Sequence, residues 1–305
     1  MSSPTRPDST KPFCAETSRA HAESLHATAS RVDTWILIEY RGLWAHDAVD
    51  GSTLSRELKE YLVAERVRLP RARILFVRRS ERRSTDGVLA YVTRSTPGER
   101  ELRCLELERH DDLVGLDLAS AGRPVDHPLF LVCTHGKHDR CCAKFGRPLY
   151  DAVREQVEEG WVWQSSHVGG DRFAGNLVVL ADGVYYGRVE PAEAWPIVEA
   201  ALERRVHLPL YRGRSCYGFA AQAAEIAMRE ATSLLGVDEV RVRSIAREGD
   251  AWRAEVDAAG TAYEVEVRVE EGAPTHLTCS TSRLSRPKRY VADLGVAEIP
   301  RERGA

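Results

Sequence analysis

Leu129-Phe130-Leu131-Val132-Cys133-Thr134-His135-Gly136-Lys137-His138-Asp139-Arg140-Cys141-Cys142 is the stretch from which the rest of the chain is read. Its four leading apolar residues predict a short buried strand that runs straight into Cys133. A polar loop is expected from Thr134 to Gly146, with Pro148 opening a helix through Leu149, Val153 and Val157. A second strand is expected over 162–166. The loop after it reads His167-Val168-Gly169-Gly170-Asp171-Arg172-Phe173-Ala174-Gly175-Asn176. Each loop directly follows a strand. If the two strands are parallel neighbours, both loops leave the sheet at one edge. Cys133, Cys142, His167 and Asp171 then come within reach of one metal centre, with Gly169 and Gly170 letting the backbone turn sharply. Thiolates with an imidazole suit zinc or an iron–sulfur cluster.

Several other chemistries fail on spacing. No CxxC is present, which removes the common thioredoxin disulfide and the zinc ribbon. A phosphatase loop needs five residues between Cys and Arg, and six lie between Cys133 and Arg140. Neither a P-loop nor a nucleophile elbow occurs. The glycines of 169–175 are not followed by a helix and make a weak phosphate loop. No dinucleotide fingerprint supports a self-contained reductase, and no carboxylate pair supports glycoside hydrolysis.

Outward from this segment, 177–180 and 184–189 predict a hairpin around Asp182-Gly183. A helix is expected over 190–205. The resulting order β-α-β-β-α implies a small α/β sheet domain over 125–216. Before it, 12–124 reads as an α/β region. It holds a helix-like stretch from Cys14, a buried strand at 35–40, and a helix over 53–66 capped by Ser52 or Thr53. Strands at 73–78, 87–93 and 101–107 complete it. Residues 1–11 read as a disordered tail. After it, 217–305 reads as a small α+β region: a helix over 220–235, strands at 239–245, 251–258, 263–269 and 275–280, and a charged tail from 287.

The chain has 305 residues with 43% hydrophobic and 29% charged side chains, an ordinary globular balance. A formal net charge of −3 gives no reason to expect nucleic acid or an anionic membrane as partner. No run reaches the roughly 20 apolar residues of a membrane span, and the polar start predicts no secretory signal, so the cytoplasm is the expected compartment. Seven cysteines, three of them within ten residues, argue for metal or redox chemistry over a disulfide framework.

At these residues the sequence resembles the sucrase/ferredoxin-like family, the thioredoxin-like ferredoxins. The resemblance lies in CTHGKHDRCCAKFGRPL (133–149), SSHVGGDRFAGNLVVLADGVYYGRV (165–189) and LYRGRS (210–215). It is looser around Cys14 and the strand at 35–40. It implies a thioredoxin-like fold for 125–216; a degenerate half of the same kind is one reading open for 12–124. It also implies a 2Fe–2S cluster held by two cysteines at C-x8-C and two histidines at H-x3-H. Carried over, this names Cys133, Cys142 and His167. Asp171 stands where the family has its second histidine. Three outcomes are open there: Asp171 ligates, which is preferred; Cys141, His135 or His138 takes its place; or the cluster is weak or absent. With an Asp in place of a neutral His, the site carries one more negative charge and a lower potential is expected.

The remaining candidates have plainer readings. Cys14, Cys104, Cys216 and Cys279 read as ordinary part-buried thiols, and Cys141 as a neighbour of a ligand. His135 and His138 read as solvated loop residues, and Lys137, Arg140 and Arg172 as a solvated face. Trp161 and Trp163 read as sheet packing at period two. The expected function is electron transfer with an unnamed redox partner protein, acting as a carrier in preference to a stand-alone enzyme. The alternative is a zinc-stapled or metal-free binding module built from the same residues.

Overall fold

Strand β1 (Thr34–Glu39) is buried at every position, which a strand achieves only when both faces of its sheet are covered. The computed structural model describes residues 12–80 and 87–298, and the expected tail 1–11 lies outside them. Helix α1 (Cys14–Ala20) precedes β1. Then come α2 (Arg56–Arg68), β2 (Ala72–Arg78), β3 (Val88–Thr96), β4 (Glu99–Leu107) and the short β5 (Arg123–Pro124). Next follow β6 (Leu129–Cys133), α3 (Arg140–Arg154), β7 (Val162–Ser165), β8 (Leu177–Leu180), β9 (Val184–Tyr186), α4 (Ala194–Leu202) and β10 (Tyr211–Arg214). The chain continues with α5 (Phe219–Thr232), β11 (Val240–Glu248), β12 (Ala251–Ala258), β13 (Thr261–Glu271) and β14 (Lys288–Glu298).

The first ten strands form one sheet in the order β10-β9-β8-β6-β7-β2-β1-β3-β4-β5. This sheet contains one arrangement twice. In the first half β1 and β2 are parallel across α2, and β3 runs antiparallel on the other side of β1. In the second half β6 and β7 are parallel across α3, and β8 runs antiparallel on the other side of β6. The halves join edge to edge through the equivalent strands β2 and β7, antiparallel, with Val77 opposite Ser165. The expected division at 124/125 therefore falls inside one continuous sheet, with β5 paired to β4 just before it.

The sheet also curls over on itself. Trp35 on β1 and Tyr185 on β9 have ring centroids 6.0 Å apart although four strands separate them in the order. Tyr91 on β3 meets Trp163 on β7 at 5.7 Å. One core thus lies between the halves, holding Trp35, Leu37, Leu131, Trp163, Val178 and Tyr185. The outer faces are covered by α2 on the first half and by α3 and α4 on the second. The C-terminal region is a separate sheet, β11-β12-β13-β14, with α5 laid across it.

Local chemistry explains where these elements depart from expectation. Helix α2 is capped by Ser55, whose hydroxyl accepts the Leu58 N–H at 3.1 Å, and not by Ser52 or Thr53. Thr53 instead bonds the Tyr40 hydroxyl. Helix α3 begins at Arg140, eight residues before Pro148, because Asp139 caps it and accepts the Cys141 N–H at 2.8 Å. Pro148 sits inside this helix and forfeits one backbone bond there. The loop after β6 is therefore only six residues long, and Cys141 and Cys142 stand in the first helical turn. Only 194–202 of the helix expected over 190–205 is α-helical, preceded by a 3-10 turn at Pro191–Glu193.

Trp161 and Trp163 do not share a face. Trp161 precedes β7 and stacks on His127 at 4.6 Å, while Trp163 fills the inter-half core. The strand expected over 275–280 is a loop with a single bridge, Thr275 to Ser285. The charged stretch 288–298, read as tail, is β14. Its Tyr290, Ala292 and Leu294 alternate onto the α5 core, a period of two that the intervening charges obscure.

Candidate metal centre

Strands β6 and β7 are parallel neighbours, with Cys133 opposite Ser165. The loops that follow them leave at the same edge, and this places the two candidate ligand segments side by side. Cys133 is the last residue of β6, fully buried. Cys142 follows in the first turn of α3, also fully buried. Gly146, one turn further on, lets the helix lie against the end of the strand: a Cβ there would sit 2.0 Å from the Cys133 carbonyl oxygen.

The second loop is held by fixed partners. Gly169 and Gly170 both have positive φ, 101° and 83°, so the turn is one that side-chain-bearing residues rarely adopt. The Arg73 guanidinium donates to the carbonyls of His167 and Val168, each at 2.8 Å. Arg212, fully buried on β10, donates to the Gly169 carbonyl at 3.1 Å and the Asn176 side chain at 2.7 Å. Asn176 in turn donates to the Gly170 carbonyl. Residues Asp171–Phe173 then form a 3-10 turn that carries the Asp171 carboxylate inward, where it is 3% exposed.

These supports bring the four expected residues together. Donor atoms of Cys133, Cys142 and His167 lie within 4.8 Å of one another. Cys142 Sγ lies 3.3 Å from Asp171 Oδ1. His167 Nδ1 lies 2.9 Å from the same oxygen, an ion-pair contact. The charges interlock. The hydrogen bond from Cys142, then His167, holds Cys133 well below the usual thiol range despite its burial. Cys142 is pushed well above it, first by that same bond and then by burial. Burial alone would lower the His167 imidazolium, but Asp171 and Cys133 reverse this and lift it to about 9. Burial pushes the Asp171 carboxyl up, and His167 more than offsets this, leaving it below the usual carboxylate range.

The geometry also sorts the alternatives for the fourth position. His135 uses both ring nitrogens: Nε2 donates to the Ala45 carbonyl at 2.7 Å, and Nδ1 accepts the His167 N–H at 3.3 Å. It is buried, not solvated, and it orients the His167 backbone. Cys141 faces away from this site, toward Cys14 and Cys279. His138 stays close. Its ring stacks on His167 at 3.8 Å, and its Nε2 lies 3.9 Å from Asp171 Oδ2. Its Nδ1 faces the His46 carbonyl at 3.3 Å, and the His46 ring lies 4.7 Å from its own. Arg172 is not a free surface charge, being paired with Glu23 at 2.7 Å.

Sequence reasoning did not find Arg73, Arg212, Asn176 or Gly146 as supports. Arg212 lies in the 210–215 stretch that carries the resemblance, and that was the available signal. Nor did it find the group formed by Cys14, Asp139, Cys141 and Cys279, whose members come from three distant parts of the chain.

Comparison with known proteins places the chain. Among solved structures, a thioredoxin-like [2Fe-2S] ferredoxin from Aquifex aeolicus is 21% identical, with a TM-score of 0.25 over 28% of this chain and 91% of that one. Its Cys59Ser variant is 22% identical, with the same TM-score over 28% of this chain and 99% of that one. Among curated proteins, altered inheritance of mitochondria protein 32 of Eremothecium gossypii is 30% identical over 106 residues, 30% of this chain and 34% of that protein. The protein of the same name from Meyerozyma guilliermondii is 31% identical over 121 residues, 35% of this chain and 42% of that protein. The chain thus matches well under half the length of these relatives. The family model described as Sucrase/ferredoxin-like matches residues 25–213. That match covers both halves of the curled sheet and more than half of the chain, and the protein belongs to the sucrase/ferredoxin-like family.

Proposed function

We propose that Cys133, Cys142, His167 and Asp171 hold a 2Fe–2S cluster and that the protein transfers single electrons to and from a redox partner protein. The observation that carries this reading is the convergence of two buried sulfurs, an imidazole and a buried carboxylate at one sheet edge. The donor set fits such a cluster: thiolates and imidazole are its protein ligands, and carboxylate oxygen is a hard donor that ferric iron accepts. When bound, the cluster supplies a reversible one-electron change. The protein's own groups fix the ligands before any metal arrives. Arg73 and Arg212 hold the second loop, and His135 orients the His167 backbone.

His138 and His46 line the exposed side of the site, over a surface hollow of about 400 Å³ that also includes Asp47, Asp50 and Arg66. This is the side from which a partner approaches. Among the described residues, no helix is long and apolar enough to cross a membrane. We place the protein in the cytoplasm, a reducing compartment in which thiols such as Cys133 and Cys142 stay available as ligands.

A second reading, one zinc ion at the same residues, is favoured by a single observation: three donors already lie within 4.8 Å of one another, a spacing one tetrahedral ion also satisfies. Anaerobic purification separates the two. The cluster reading expects a brown protein with two irons per chain and visible bands that dithionite bleaches. A colourless protein that loses stoichiometric zinc on Cys133→Ser overturns it.

A further inference from the structure

Cys141 and Cys142 are adjacent in α3, so their side chains point about 100° apart around the helix. Cys142 faces the site described above. Cys141 faces a second group of sulfurs. Cys14 opens α1, and Cys279 lies in the loop between β13 and β14. Their Sγ atoms are 3.5 Å apart (Cys14 and Cys141), 3.2 Å apart (Cys141 and Cys279) and 3.5 Å apart (Cys14 and Cys279). Asp139 Oδ2 lies 3.9 Å from Cys14 Sγ. Cys14, Cys141 and Asp139 are 2%, 0% and 3% exposed, and Cys279 is partly buried.

We propose that Cys14, Cys141, Cys279 and Asp139 form a second, mononuclear site that binds zinc. The distances select this chemistry. Four ligands about 2.3 Å from one tetrahedral zinc place their sulfurs about 3.8 Å apart, close to the spacing found here. A disulfide needs about 2.05 Å, and with three equidistant sulfurs it would leave one thiol stranded. A 2Fe–2S cluster would divide the four ligands between two irons and a 4Fe–4S cluster would give each its own, and either would spread the three sulfurs farther apart. The carboxylate as fourth donor favours zinc over cuprous ion, which prefers soft ligands alone.

The surroundings support the charge that such a site carries. Three thiolates and a carboxylate around a divalent ion leave a net charge of −2. The Cys14 N–H points at the Cys279 sulfur at 3.4 Å, and the Arg140 guanidinium donates to that sulfur as well. Asp139 is fixed by the Cys141 and Cys279 N–H groups, at 2.8 and 2.6 Å. Phe13, Phe145, Ala15 and Ala174 pack around the group and limit water. The site joins α1, the start of α3 and the β13–β14 loop, segments up to 265 residues apart in sequence. Such a clasp fixes the first turn of α3, and with it the neighbouring Cys142.

The proposal does not depend on the identity of the metal at Cys133 and Cys142, and the test keeps the two apart. Full-length protein is purified anaerobically from medium containing zinc, and metals are counted per chain. One zinc is expected. It falls to near zero in Cys14→Ser and in Cys279→Ser, with iron and the visible spectrum retained, and it persists in the Cys133→Ser/Cys142→Ser double variant. X-ray absorption at the zinc edge of the unaltered protein needs no variant. It is expected to show three sulfurs at about 2.3 Å and one oxygen near 2.0 Å. Zinc that is absent from the unaltered protein, that survives Cys279→Ser, or that shows only two sulfur neighbours overturns the proposal. So does a disulfide between any two of the three cysteines in protein kept anaerobic.

Discussion

Asp171 is the residue on which the character of the centre turns. An oxidised 2Fe–2S core carries +2 and two thiolates cancel it, so two neutral histidines leave the site neutral, whereas His167 with Asp171 leaves it at −1. Added negative charge opposes adding an electron. Two-histidine centres lie at about −150 to +300 mV and all-cysteine ones near about −400 mV, and the Asp171 centre is expected between these ranges. Asp171→His removes the extra charge, and protein-film voltammetry is expected to show the potential rising toward the two-histidine range. An unchanged potential with the cluster intact contradicts ligation by Asp171. The sequence made this residue visible because it breaks the histidine pattern. It did not make His138 visible as the ring stacked on His167, since stacking across two loops leaves no spacing signal.

Among the elements, α3 bears the tightest constraint. It meets the end of β6 only because Gly146 has no side chain, a Cβ there falling 2.0 Å from a backbone carbonyl oxygen that cannot swing aside. Gly146→Ala must push the helix off the strand and separate Cys142 from Cys133. Overpacking of this kind costs about 1–3 kcal/mol. The variant is expected to have a lower thermal midpoint and to release iron faster to a chelator. Gly218→Ala, where nothing lies within 4 Å of the added carbon, is the control: it gives up only a favourable N-cap of α5 and is expected to leave iron release unchanged. Equal behaviour of the two variants contradicts this account of α3. The helix was also where local reading went most astray. Pro148 drew its expected start forward, but the Asp139 cap holds about two and a half turns ahead of the proline. The 288–298 strand was hidden by its charges and the 275–280 loop by its β-branched residues, because in each case a distant partner decided the outcome: β13 for the first, Asp139 for the second.

At the scale of the whole molecule, the halves joined through β2 and β7 explain why the centre is enclosed. Among the described residues the first half holds no group of donors of its own, but its loop after β1 occupies the position equivalent to the loop after β6. Through Ala45 and His46 that loop reaches His135 and His138 across the junction. The C-terminal region is tied to the second half by the Tyr211 hydroxyl of β10, which donates at 2.8 Å to Glu225 of α5, a carboxylate paired with Arg229 on the same helix at 3.0 Å. The convergence of two strand-end loops was legible because strand, loop and spacing all lie within 129–176. The curl that packs Trp35 on Tyr185 was not, since it depends on pairing between strands some 90 residues apart. The central claim is that two thiolates, one imidazole and one carboxylate share a 2Fe–2S unit. Pulsed electron paramagnetic resonance of the dithionite-reduced protein, uniformly labelled with nitrogen-15, counts the nitrogens bound to iron. The account predicts one strongly coupled nitrogen, lost in His167→Ala. Two such nitrogens, or none in a protein that still carries the cluster, would contradict it.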